Sequence, residues 1–117
     1  MTLNFIVKRA RNISDKDISI TATNYRSERN SVYIVFRNNS DKQIGHTGFI
    51  SVAMSGERLY FKEADETSGY KVRKNNSKSS VMTRIKHTDL YEWAVEHSGD
   101  YMLKFDRTIA LYYVDTE

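Results

Sequence analysis

Three histidines, His46, His87 and His97, stand in a chain that has no cysteine. Without a thiol there is no disulfide, no thiolate nucleophile and no cysteine-built zinc site. His87, Asp89 and His97 can be drawn around a metal ion, but they lack the short, dense spacing of a built ligand set. His97 falls at the end of a helical pattern, where attraction to the helix C-terminus explains it more simply. His46-Thr47-Gly48 reads as a turn. No serine sits in a Gly-x-Ser-x-Gly elbow, and the five glycines form no phosphate-cradling loop. The acids Asp15/Asp17 and Glu63/Asp65/Glu66 fall in polar turns, where water solvates them. These patterns predict a protein that is not an enzyme and that needs neither metal nor cofactor.

Cationic chemistry is the stronger signal. The 117 residues carry 18 basic and 15 acidic side chains, a net charge of only +3, with a pI near 9.1. Divided at turn signals, the charge runs +4 over 1–42, −2 over 43–70, +6 over 71–87 and −5 over 88–117. Such segregation bears on partners and association rather than on fold. Read as a hairpin, 69–86 places Tyr70 and Val72 on one face of its first strand and Lys71 and Arg73 on the other. Its second strand sets Val81, Thr83 and Ile85 against Met82, Arg84 and Lys86, because successive strand side chains alternate. Burying the apolar faces leaves Lys71, Arg73, Arg84 and Lys86 together outside. Like charges paired across strands cost roughly 0.2–1 kcal/mol per pair, which points to a compensating anion. The loop 75–80 is small and polar and adds Lys78. A basic two-stranded ribbon suits a phosphate backbone and also fits a DNA major groove. The predicted nucleic-acid-binding set is therefore Lys71, Arg73, Lys74, Lys78, Arg84 and Lys86, aided by Lys8, Arg9 and Arg11. The competing reading is a merely solvated strand face, neutralised within the domain by the acidic segments 57–66 and 88–100.

Eight tyrosines and five phenylalanines invite comparison with single-strand binders, whose exposed rings stack on bases. Tyr33, Tyr60 and Tyr112 lie opposite the more apolar set of their strands and are expected outside; Phe36, Phe61 and Phe105 are expected in the core.

The elements that position these groups follow from periodicity. Val32, Ile34 and Phe36 alternate with Tyr33, Val35 and Arg37. Leu59 and Phe61, then Tyr101, Leu103 and Phe105, then Ile109, Leu111 and Tyr113 repeat the pattern. Residues 3–8, 18–22, 48–54, 69–74 and 80–86 are further strand candidates. Ser55-Gly56, Ser68-Gly69 and Ser98-Gly99 mark breaks, and Asp106-Arg107 is a tight connection between the last two strands. One helix is predicted over about 88–98, with Asp89 as cap and Glu92 in capping-box spacing. Leu90, Trp93, Ala94 and His97 form its buried face, and Gly99 its left-handed cap. Trp93 is expected to anchor this helix to a sheet. The fold class is mostly β (α+β): a single compact antiparallel domain, sheet, barrel-like or sandwich, over 1–117. A hairpin over 1–22 and a polar loop over 23–30 are expected at its start. Asn4 and Lys8 interrupt the only apolar stretch near the N-terminus, so a cytoplasmic protein without a membrane span is expected.

The run Arg58-Leu-Tyr-Phe-Lys-Glu-Ala-Asp-Glu-Thr-Ser-Gly-Tyr-Lys-Val-Arg-Lys74 resembles small bacterial and phage proteins without assigned function, in which a strand, a short acidic turn and a Gly-aromatic-Lys strand follow one another. The resemblance implies a mobile-element or bacterial origin and a compact β-rich domain, and it transfers no functional residues. The leading expectation is a small binding module for nucleic acid, DNA or RNA. The alternative is a phage- or plasmid-type protein-interaction or inhibitory module. Such a module would bind a host protein, or associate as a homo-oligomer by setting the −5 end of one copy against the +6 ribbon of another.

Overall fold

The computed structural model describes residues 16–25, 28–74 and 80–117. Within them ten strands and two helices form two antiparallel five-stranded sheets. In chain order the strands are β1 (Ile18–Tyr25), β2 (Glu28–Arg37), β3 (Phe49–Ser55), β4 (Arg58–Glu63), β5 (Tyr70–Lys71), β6 (Arg73–Lys74), β7 (Ser80–Lys86), β8 (Gly99–Tyr101), β9 (Lys104–Asp106) and β10 (Leu111–Asp115). Helix α1 (Ser40–Ile44) follows β2, and α2 (Thr88–His97) follows β7. The first sheet runs β6-β7-β2-β1-β8 and the second β5-β3-β4-β10-β9.

Alternation builds the core. Ile18 and Ile20 face Phe36 and Ile34 across β1–β2, and Ile85 faces Val32 across β2–β7. All are buried, as are Ile50, Leu59, Phe61 and Val114 of the second sheet. Phe36 and Phe61 meet edge to face, with ring centroids 5.8 Å apart, so the two apolar faces interlock as in a sandwich. Helix α2 adds Leu90 and Ala94 to the same core, and α1 adds Ile44.

The sheets are joined at both edges by one device. Lys71 pairs with Phe49 on β3, but Arg73 pairs with Met82 on β7. The chain therefore changes sheet at Val72, whose N–H donates to the Gly48 carbonyl at 2.8 Å. At the opposite edge Tyr101 pairs with Ile18 of β1, whereas Lys104 pairs with Tyr113 of β10. There the Leu103 N–H donates to an Asp17 carboxylate oxygen at 3.2 Å. Each crossing removes a backbone donor from its ladder, and each supplies a substitute acceptor. The two sheets do not close into a barrel.

Several expectations change. Residues 69–86 do not form one hairpin, and 101–105 do not form one strand, because each run is divided between sheets. The polar loop expected over 23–30 is strand on both sides of residues 26–27, which lie outside the described residues. The predicted hairpin 1–22 has its first arm in 1–15, also outside them; among the described residues β1 pairs with β2 and β8. Helix α1 has five residues and one large apolar side chain, too short to announce itself by periodicity. The last two strands are joined through 107–110 rather than by Asp106-Arg107 alone. The α2 cap is His87, not Asp89: the helix starts at Thr88, and the His87 Nδ1 accepts from the Leu90 N–H at 3.2 Å. Ser98 closes the helix in extended conformation, which leaves Gly99 free to begin β8. Tyr112 faces the core while Phe105, opposite it, is 47% exposed at the sandwich edge, which reverses the predicted roles.

Candidate nucleic-acid interface

The candidate site lies where the chain turns from the second sheet to the first. A six-residue turn prepares it. One Asp65 carboxylate oxygen accepts from the backbone N–H and the hydroxyl of both Thr67 and Ser68, at 2.7–3.0 Å. These bonds hold the Asp65 carboxyl down at about 2, from an ordinary 3.8. The Asp65 carbonyl then accepts the Gly69 N–H at 2.9 Å. Only glycine fits at 69, since a Cβ there would collide with Ala64. The turn delivers Tyr70 and Lys71 to the edge of β3, and the bend at Val72 carries Arg73 and Lys74 to the edge of β7.

Lys71, Arg73, Lys74 and Arg84 consequently line one open concavity of about 390 Å³, with Tyr33 and Met82 between them. Its floor follows from register. Met82 lies between Arg73 on β6 and Val35 on β2, and Arg84 faces Tyr33. The expected like-charge pairs across strands do not form. The bend moves Lys71 onto the other sheet, and an apolar or aromatic side chain stands opposite each arginine. The cations converge without facing one another directly.

Lys71, Arg73, Lys74, Arg84 and Lys86 are all exposed. Lys86 lies opposite Ser31, beyond the concavity. Lys78, Lys8, Arg9 and Arg11 lie outside the described residues. Among the described residues, Lys71, Arg73, Lys74 and Lys86 form no ion pair; Arg84 and Tyr33 each hold a further interaction. Of the carboxylates in 57–66 and 88–100 expected to neutralise the cations, Asp65 is held in its own turn and three more have partners elsewhere. Glu57 meets His97 at 3.4 Å, Glu63 accepts the His46 N–H at 2.6 Å, and Asp100 lies 3.8 Å from Arg37.

Two other clusters absorb residues that looked chemically suggestive. The Thr116 hydroxyl donates to the Glu57 carbonyl at 2.6 Å, so its oxygen is left to accept from the His97 Nδ1–H at 3.0 Å. Trp93 packs against the His97 ring at a tilt of 37°, with centroids 4.5 Å apart, and its Nε1–H donates to the Gly56 carbonyl at 2.8 Å. This group fastens α2 to the β3–β4 turn and to Thr116, from a His97 that lies in the last turn of the helix. Asp17, expected to be merely solvated, takes the Leu103 N–H, and its other carboxylate oxygen accepts from the Asn38 amide at 3.2 Å.

No family model, no curated protein and no solved structure matches the chain.

The sequence located four of the six residues lining the concavity. Tyr33 was read as outward-facing but not joined to the cations. Met82 was placed on the outer strand face, but its role between two arginines depends on the β6–β7–β2 register, which a single-strand pattern does not contain.

Proposed function

We propose that the protein is a non-enzymatic binding module that holds a nucleic-acid backbone, DNA or RNA, at the β5–β6 corner. The observation that carries this reading is the convergence of Lys71, Arg73, Lys74 and Arg84 on one open concavity, with no described carboxylate paired to the first three. Exposed cations gathered on one surface repel one another, and a bound anion relieves that cost. A polyphosphate chain does so and releases its condensed counterions in the process. Arginine brings a planar fork that matches two phosphate oxygens, and lysine adds point charge. A cytoplasmic setting belongs to the same reading; among the described residues no helix is long and apolar enough to cross a membrane.

The self-associating alternative has less to attach to. It draws on the seven acids of 88–117, and three of these already have partners within the fold: Asp100 pairs with Arg37, and Asp106 and Asp115 both approach Arg58, at 3.9 and 3.3 Å.

Fluorescence anisotropy with labelled oligonucleotides at two or more salt concentrations tests the proposal. Four phosphate contacts predict a slope of log K against log salt of about −2.8 on a single strand and about −3.6 on a duplex. Absence of binding at low salt, or binding indifferent to salt, removes the proposal.

A further inference from the structure

Resting on the nucleic-acid reading above, we infer that the corner takes a single strand rather than a duplex and seats a base against Tyr33 and Met82. Three observations lead there. First, no two-stranded ribbon projects from the described residues at this place. Strand β6 is two residues long, and β7 is an interior strand, bonded to β2 along its whole length. Reading a duplex through its major groove requires an element that enters a slot roughly 12 Å wide, and β7 lies flat within its sheet. Second, the cationic surface is concave. A notch of about 390 Å³ admits one segment of a flexible chain, whereas the convex side of a duplex would touch its rim and leave the floor unused.

Third, the floor is the wrong material for phosphate alone. Met82 and Tyr33 are half-buried side chains set among the basic groups. An apolar or aromatic floor weakens a purely electrostatic site, but it gives the flat face of a base something to cover. A polarisable thioether beside a tyrosine ring, with cations at the margin, is the combination that single-strand sites use without sequence preference. The backbone then follows Lys71, Arg73, Lys74 and Arg84 while one base turns inward.

The discriminating experiment uses the unmodified full chain and three labelled probes of equal length at low salt: a mixed-sequence single strand, its duplex, and an abasic strand that keeps every phosphate and lacks bases. The base-bearing strand is expected to bind at least about tenfold more tightly than the duplex. It should exceed the abasic strand by roughly 5- to 150-fold, the value of one stacked base. Tyr33→Phe should keep that margin and Tyr33→Thr should lose it, with the affinity for the abasic strand unchanged by either. Equal binding of abasic and base-bearing strands overturns the inference, as does a preference for duplex; the nucleic-acid reading survives both results. Failure of all three probes to bind overturns both. The abasic comparison needs no variant, so it stands even if Tyr33→Thr does not fold.

Discussion

Arginines occupy two contrasting places on the outside of this sandwich. Arg58, on the outer face of the second sheet, is enclosed by partners. Its guanidinium donates to the Tyr60 hydroxyl at 3.3 Å, lies 4.5 Å from the centre of the Tyr113 ring, and reaches the carboxylates of Asp115 and Asp106. The Tyr60 hydrogen bond is the main reason its pKa is raised further. Arg73, on the edge of the first sheet, stands beside Lys71 and Lys74 with no ion pair among the described residues. Both residues are cationic and partly or fully exposed, and sequence alone does not separate them. The fold supplies each with a different neighbourhood: β10 and β9 bring two acids and a ring to Arg58, whereas the bend at Val72 brings more cations to Arg73. A charge matched within the fold contributes to holding the strands together, and a charge left unmatched is available to a ligand.

Charge reversal tests that division most severely. Arg73→Glu together with Lys74→Glu is expected to weaken oligonucleotide binding by about a hundredfold or more, because two attractive contacts become repulsive. The melting temperature should shift by about 2 °C or less, since no described contact is lost. Arg58→Ala should show the reverse profile: a melting temperature lower by a few degrees, through loss of the ring and carboxylate contacts, and oligonucleotide affinity within about twofold of the parent. If Arg58→Ala weakens binding as much as the corner substitutions do, the proposed contrast between the two arginines fails.

A smaller effect sharpens the same contrast from beneath the corner. Thr83 lies on the inner face of β7, between the outward-facing Met82 and Arg84, and is 1% exposed. Among the described residues its hydroxyl has no hydrogen-bond partner. Replacing a buried, unsatisfied hydroxyl by a methyl group removes a desolvation cost. Thr83→Val should therefore raise unfolding stability by about 1 kcal/mol, measured in urea, with binding unchanged. Loss of stability instead would mean that the hydroxyl is hydrogen-bonded or solvated in the folded protein, and the buried-cost argument for this site fails.

The legible and illegible parts of this molecule divide along the same physical line. Alternation in Val32, Ile34 and Phe36 and in Leu59 and Phe61 revealed the core faces, because a strand with one buried side must place its apolar residues two apart. The helical spacing of Leu90, Trp93, Ala94 and His97 was equally direct. Both sheet changes stayed hidden for a related reason. Tyr70 and Val72, like Tyr101 and Leu103, keep their alternation through the bend, so the pattern continues although the pairing partner changes. The reversed roles of Phe105 and Tyr112 follow from that second crossing, which puts β9 at an open edge and β10 inside the sheet. Asp17 and Asp65 looked like solvated turn residues because part of their bonding goes to backbone N–H groups, which leave no mark on side-chain composition. The cations at 71, 73, 74 and 84 were visible as a cluster; their convergence on one concavity depended on the bend.

Asp65 offers the smallest effect and the most direct view of how the corner is prepared. Four donors from Thr67 and Ser68 converge on one of its oxygens and hold its carboxyl at about 2. A carboxyl whose folded pKa lies below its unfolded value contributes stability above the unfolded value, near 3.9, and loses it as pH falls toward the folded one. The contribution is therefore complete at neutral pH and declines between about pH 4 and pH 2. Asp65→Asn keeps an acceptor oxygen but removes the charge, so it should lower the melting temperature slightly at pH 7 and match the parent by about pH 2. A carboxyl-shift titration by NMR should find the Asp65 midpoint near 2. The turn leads straight into Tyr70 and Lys71, so the same variant should loosen oligonucleotide binding by no more than about threefold, well short of a charge reversal, because the cations stay and only their placement relaxes. A midpoint near 4, with identical melting curves for both proteins across the range, would show that the turn forms without this carboxylate and that the corner is positioned by the Val72 bend alone.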